Sequence, residues 1–167
     1  MKILITGCAG FIGMHLCQKL LSENDIFGID NLNHYYDPKL KKLRLHILKK
    51  NKNFKFFKIN INNKKKLKLI LKKIKPKLII HLASEVGVRN STTRPRSYIN
   101  TNISGFLNIL ECSKELQIKK IFYASSSSVY GNNIKKNLIE NESTDKPLSI
   151  YAASKKSAEI LASAYSH

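Results

Sequence analysis

The residues best suited to chemistry in this chain sit at its start and near its end. Gly7-Cys8-Ala9-Gly10-Phe11-Ile12-Gly13 follows a short apolar run and precedes a helical pattern. Glycines at such a turn let backbone approach a pyrophosphate closely. The helix behind it offers unpaired N–H donors and the positive end of its dipole. The spacing is GxxGxxG, one residue longer than the GxGxxG dinucleotide fingerprint. Asp30 closes the next apolar run, about 20 residues past the turn. A carboxylate there can accept hydrogen bonds from adenosine ribose hydroxyls, which favours NAD over a 2′-phosphorylated cofactor.

Tyr151 and Lys155 stand four residues apart at the start of the last helical pattern. That spacing puts both on one helical face. A phenol beside an ammonium gives up its proton more readily than a phenol alone, so such a pair could act as a base toward a sugar hydroxyl. Ser125-Ser126-Ser127-Ser128 ends an apolar run, where a hydroxyl could hydrogen-bond a reacting oxygen. No GxSxG elbow occurs, which argues against a serine hydrolase. Cys8, Cys17 and Cys112 form an odd set without a CxxC pair. They imply reduced thiols in a cytoplasmic protein, and no metal site.

The elements that must carry these residues alternate strand and helix patterns, the signature of parallel βαβ units. Strands are expected at 2–6, 26–30, 54–61, 77–82 and 118–124. Helices are expected at about 11–22, 38–50, 64–74 and 96–116, and from about 151 to the end. On the second helix Leu40, Leu43, Ile47 and Leu48 are expected to face inward. On the third, Leu67, Ile70, Leu71 and Ile74 recur at i, i+3, i+4 and i+7 between lysines, and Pro76 stops the helix. Asn132 to Asn137 reads as loop. The whole reads as α/β: a Rossmann-type, doubly wound parallel sheet in one dinucleotide-binding domain over 1–167.

Composition agrees with a globular chain of about one domain: 43% hydrophobic and 25% charged residues, with only 7 glycines and 4 prolines. No run is long and apolar enough to span a membrane, and no signal peptide is evident. The formal net charge is +19, nearly all of it lysine in two stretches, 39–52 and 64–77. The only arginines are Arg44, Arg89, Arg94 and Arg96. Arginine is the usual residue for bidentate phosphate and base contacts, and no aromatic platforms interleave with the lysines. The charge is read as a solvated face, with neither nucleic acid nor membrane as partner.

With those residues in place, the chain resembles the extended short-chain dehydrogenase/reductases, in the NAD-dependent epimerase/dehydratase branch. Thr6 to Gly13, Asp30-Asn31, His81-Leu82-Ala83, Ser126 to Gly131 and Tyr151 to Lys155 stand in the expected order, and the resemblance covers the entire chain. Gly28 to Asp37, with Glu85 to Arg89, is similar to segments of bacterial UDP-glucuronate 4-epimerases. The resemblance implies that Gly7, Gly10, Phe11, Ile12 and Gly13 wrap the pyrophosphate. It implies that Asp30 and Asn31 hold the adenosine ribose, that Leu82, Ala83 and Ser84 line the cofactor channel, and that Asn102 is a cofactor-side asparagine. It makes Tyr151 the catalytic base, with Lys155 holding the nicotinamide ribose and tuning the tyrosine. Ser126 falls on the catalytic Ser/Thr position and would touch substrate, as would Arg89.

The implied activity is epimerisation at carbon 4 of a UDP-sugar, UDP-glucuronate first, with NAD as cofactor. The alternatives are another UDP-sugar epimerase, such as a UDP-galactose (UDP-glucose 4-) epimerase, a nucleotide-sugar dehydratase, or an inactive NAD-binding fragment. A dehydratase normally adds an acidic pair near the serines, and none is present. Departures from the family are Asn60 for an aspartate that meets adenine, Ser84 for an alanine and His34 for an aspartate. Family members run about twice as long and are typically homodimers. The expectation is a truncated chain, with the cofactor half and without the substrate half.

Overall fold

In the computed structural model, residues 1–133 and 137–166 are described. Residues 134–136 of the expected 132–137 loop therefore lie outside the described residues. The chain divides into two compact units: Met1–Ala83 with Asn108–Ala124, and Ser84–Leu107 with Ser125–His167.

The first unit holds β1 (Lys2–Thr6), α1 (Phe11–Leu20), β2 (Asp25–Asp30), α2 (Pro38–Lys49), β3 (Phe54–Lys58), α3 (Lys64–Ile74), β4 (Leu78–His81) and β5 (Ile121–Tyr123). The strands form one sheet of order β3-β2-β1-β4-β5, all parallel. Strand order reverses direction at β1 and β4, the switch point where doubly wound folds bind ligands. Ile3, Ile5, Ile26, Phe54 and Leu78 pack with Cys17, Leu21, Leu45 and Leu48 in one core cluster. Leu67, Leu71 and Ile74 are the buried residues of α3, as its periodicity requires, and the helix ends at Lys75 in the left-handed conformation (φ 50°) just before Pro76.

The second helix departs from expectation. Leu40, Leu43 and Ile47 are exposed, at 43%, 57% and 38%, while Lys41, Leu45 and Leu48 face inward. The reason is a lysine with a buried partner: Lys41 Nζ reaches buried Asp30 as well as half-buried Asn33, so the helix turns its basic residue in and a leucine stripe out.

The second unit holds α4 (Val88–Thr93), α5 (Pro95–Tyr98), a π-helical turn (Ile99–Ser104), a 3₁₀ turn (Ser127–Tyr130) and α7 (Ile150–Ser166). α6 (Gly105–Glu115) starts here and ends in the first unit. The expected helix at 96–116 is thus two α-helical stretches with a π-helical turn between them, preceded by α4, which the sequence reading did not include. Gly105 N–H donates to Asn100 O, the five-residue step that defines the wide turn. α7 packs against α4, α5, the π-helical turn and the 3₁₀ turn. Strands three and five are shorter than expected. Among the described residues no helix is long and apolar enough to cross a membrane.

Candidate functional site

In the first unit the glycine turn joins β1 to α1. Gly7 has φ +72°, and a Cβ there would lie 2.8 Å from Ala83 N and 2.9 Å from Leu82 C. Only glycine lets the end of β4 approach this turn. Gly13 is tighter still: its Cβ would fall 2.2 Å from Gly7 O. Gly10 caps α1 with no side chain to bond the first-turn N–H groups. Those donors and the dipole end fit the diphosphate of a dinucleotide. Phe11 and Ile12, expected to wrap it, are exposed at 67% and 65%.

Thr6 fixes the second wall. Its Oγ1 accepts the N–H groups of Leu82 and Ala83 at 3.2 and 3.1 Å. With its lone pairs so engaged, the hydroxyl proton is left for His81 Nδ1 at 2.8 Å. Leu82 and Ala83 are thereby held beside Gly7.

Asp30 is 6% exposed. Its Oδ1 accepts Leu32 N–H at 2.8 Å and its Oδ2 accepts Ala9 N–H at 3.2 Å. Lys41 Nζ lies 3.8 Å from Oδ1. Asn31, next to it, turns its side chain to Asn33 N–H at 3.0 Å. The first unit therefore brings together Gly7, Gly10, Gly13, Asp30, Asn31, Leu82 and Ala83.

In the second unit Asn102 sits within the π-helical turn, buried. Its Oδ1 accepts Glu85 N–H at 2.8 Å and the Ser84 hydroxyl at 3.0 Å. Its Nδ2 donates to Glu85 O at 2.9 Å and Ser154 Oγ at 3.0 Å. The amide thus clips the segment after β4 to the helix that carries Tyr151 and Lys155. Glu85 is itself buried; its Oε1 accepts the Ser97 hydroxyl at 2.6 Å, and its Oε2 has no hydrogen-bond partner among the described residues.

Tyr151 and Lys155 are on the first turns of α7, the tyrosine half-buried and the lysine 7% exposed. Burial pulls the Lys155 ammonium down to about 8. The Tyr151 ring meets Tyr98 edge-on, centroids 6.2 Å apart. Tyr98 is fully buried and donates its hydroxyl to Val86 O at 2.7 Å and Gly87 O at 3.0 Å. Ser126 caps the 3₁₀ turn, its Oγ accepting Ser128 N–H at 3.2 Å. Arg89 stands exposed on α4.

Sequence reasoning missed Tyr98, Ser154, Lys41 and Arg44. Tyr98 and Ser154 lie in apolar or small-residue patterns that read as packing, and Lys41 and Arg44 lie in a run that reads as solvated charge. The thiols stay out of the chemistry. Burial raises Cys8 far above an ordinary thiol and pushes Cys17 up to about 12.

Residues 4–167 match the family described as GDP-mannose 4,6 dehydratase. Over its whole length the chain is 48% identical to Protein CapI of Staphylococcus aureus, of which it covers 50%. Over 98% of its length it is 46% identical to a UDP-glucuronate 4-epimerase of Thermodesulfobacterium geofontis, of which it covers 51%. The chain thus spans about half the length of the curated relatives it matches. The crystal structure of a Bacillus cereus UDP-glucuronic acid 4-epimerase, in complex with UDP-glucuronic acid and NAD, superposes with a TM-score of 0.89 at 36% identity. The match covers 99% of this chain and 52% of that one.

Proposed function

The chain belongs to the GDP-mannose 4,6 dehydratase family, and on that footing we propose that it is the dinucleotide-binding part of a cytoplasmic, NAD-dependent UDP-sugar 4-epimerase acting on UDP-glucuronate. The observation that carries this reading is the Tyr151–Lys155 pair on α7, its lysine buried, in a chain similar along its length to a UDP-glucuronate 4-epimerase. The dehydratase reading is weaker because Ser125 to Ser128 carries no carboxylate.

In this reading the uncapped start of α1 takes the diphosphate and Asp30 takes the adenosine ribose. Bound NAD supplies the acceptor and later the donor of the carbon-4 hydride. Tyr151 would accept the proton of the 4-hydroxyl as carbon 4 is oxidised. Ser126 donates a hydrogen bond to that oxygen. Tyr151 would give the proton back when carbon 4 is reduced on its other face, so no net oxidant would be consumed. Lys155 would hold the nicotinamide ribose. The clip from Asn102 and the ring of Tyr98 set where Tyr151 stands.

The test is product analysis on UDP-glucuronate, using the 167-residue chain and a chimera continued with the second half of the Thermodesulfobacterium relative. UDP-galacturonate from the chimera is the expected result. A folded chimera that binds NAD yet leaves UDP-glucuronate untouched, while converting another UDP-sugar, would reassign the substrate.

A further inference from the structure

An isolated carboxylate at the end of β2 would repel the 2′-phosphate of NADP and so enforce NAD. Asp30 is not isolated. Lys41 Nζ stands 3.8 Å from its Oδ1, and both side chains are more than nine-tenths buried. The same ammonium donates to Asn33 Oδ1 at 2.7 Å, which pins it beside the Asp30–Leu32 turn. One helical step on, Arg44 donates to Ala9 O at 3.3 Å, and the N–H of that same Ala9 is the donor to Asp30 Oδ2. The Arg44 guanidinium also lies over the Phe11 ring, 5.9 Å from its centroid. One cation thus pairs with the carboxylate and a second is held at the Ala9 carbonyl, so these three side chains sum to one positive charge.

A carboxylate paired this closely acts outward as a dipole, whose field falls off faster than that of a lone charge. Asp30 can still accept from a ribose hydroxyl, because a carboxylate has about four acceptor sites and two backbone N–H groups occupy only part of them. A 2′-phosphate carries about −1.5 to −2 charges at neutral pH, as other phosphomonoesters do, so it is the group most sensitive to the balance.

We infer that Lys41 is a specificity-determining residue: it offsets Asp30 and, with Arg44, leaves a corner that admits NADP beside NAD with only modest discrimination. The inference rests on the reading that this unit binds NAD. A purely structural role for Lys41 makes a different prediction, because a loosened turn would weaken both dinucleotides alike.

The experiment is calorimetric titration of the chain with NAD and with NADP, for wild type, Lys41→Gln, Lys41→Arg and Arg44→Gln, with circular dichroism confirming the fold of each. Wild type is expected to prefer NAD by less than about tenfold. Lys41→Gln keeps a polar group near Asn33 but removes the charge. It should widen the preference at least about fivefold, mostly by loss of NADP affinity, in line with one charge removed from a partly buried corner. Lys41→Arg should return the ratio to the wild-type value. Equal weakening of both cofactors in Lys41→Gln, or rejection of NADP by wild type beyond about a hundredfold, overturns the inference. Should Lys41→Gln fail to fold, Arg44→Gln decides, since selective loss of NADP supports the positive corner and equal loss overturns it. Wild type that binds neither dinucleotide overturns the NAD reading as well. That outcome is distinct from normal NAD binding with an unmoved ratio, which sinks this inference alone.

Discussion

Asn102 pairs with both backbone polar groups of Glu85: its Oδ1 accepts the Glu85 N–H at 2.8 Å and its Nδ2 donates to the Glu85 carbonyl at 2.9 Å. The side-chain amide stands in for a strand neighbour at a segment that has left the sheet. Replacing Asn102 by alanine would strand the buried Glu85 N–H and release Ser154, while the Ser84 hydroxyl still reaches the Glu85 carbonyl at 3.0 Å. We expect a loss of about 1–3 kcal/mol, the usual cost of an orphaned buried group. Urea unfolding of Asn102→Ala measures it, and a change under about 0.5 kcal/mol would mean the clip is slack.

Lys155 sets a pH dependence. Its folded value is about 8 against an ordinary 10.5, because burial penalises the ammonium. Between those values the unfolded chain holds a proton that the folded chain has released, so stability rises with pH across that window. Below about pH 8 the full penalty is present, roughly 3 kcal/mol by linkage. Lys155→Met should therefore stabilise the chain at pH 7 and flatten the alkaline rise. Thermal melts from pH 7 to 10.5 check both, and an unchanged slope in the variant would place the titration elsewhere.

Tyr151→Phe removes a hydroxyl and keeps the ring that meets Tyr98 at 6.2 Å. The fold should persist, while turnover in the chimera should fall at least about 10²-fold, as general base removal does. Initial rates on UDP-glucuronate are the measurement. Near-normal rates would assign the base to another group.

Gly13 and Gly10 should differ sharply. A methyl at Gly13 would meet Gly7 O at 2.2 Å, and at Gly10 the same atom lies 3.1 Å away. Gly13→Ala is expected to cost more than about 2 kcal/mol, within the range for overpacking, and to abolish NAD binding. Gly10→Ala should cost a fraction of that. Equal behaviour of the two in calorimetry and unfolding would contradict the close approach at Gly13.

The lysines of α3 should matter little to the dinucleotide. Lys64 bonds Glu111 and Lys68 bonds Glu115, surface pairs that salt screens. Changing both to glutamine should leave NAD affinity within about twofold. DNA retention in a filter assay should stay weak and vanish with added salt. Tight, salt-resistant retention would revive nucleic acid as a partner.

The glycine turn, Asp30 and the sheet of parallel strands were legible because each follows from a local rule: glycine where backbone must approach, an acid at a strand end, apolar runs spaced by helices. The inward face of α2 was not legible. Leu40, Leu43 and Ile47 satisfy a hydrophobic pattern, but a buried partner for one lysine outranked them. Asn102 was legible as a position through the resemblance, yet its four-way bonding was not, because that depends on a helix wound differently from the regular one.

That winding has a further consequence. Tyr98 and Phe106 are both fully buried, although in a regular helix their spacing would point them about 80° apart. The wide turn between them absorbs one residue, which brings the two directions to within about 20°. The helix therefore carries a surplus residue without rotating either neighbouring face. This is the place where the chain can change length by one and keep its register. A deletion at exposed Asn100 should close the turn to ordinary winding with Tyr98 and Phe106 still inward. A deletion two turns later would swing Glu111 or Lys114 toward the interior instead.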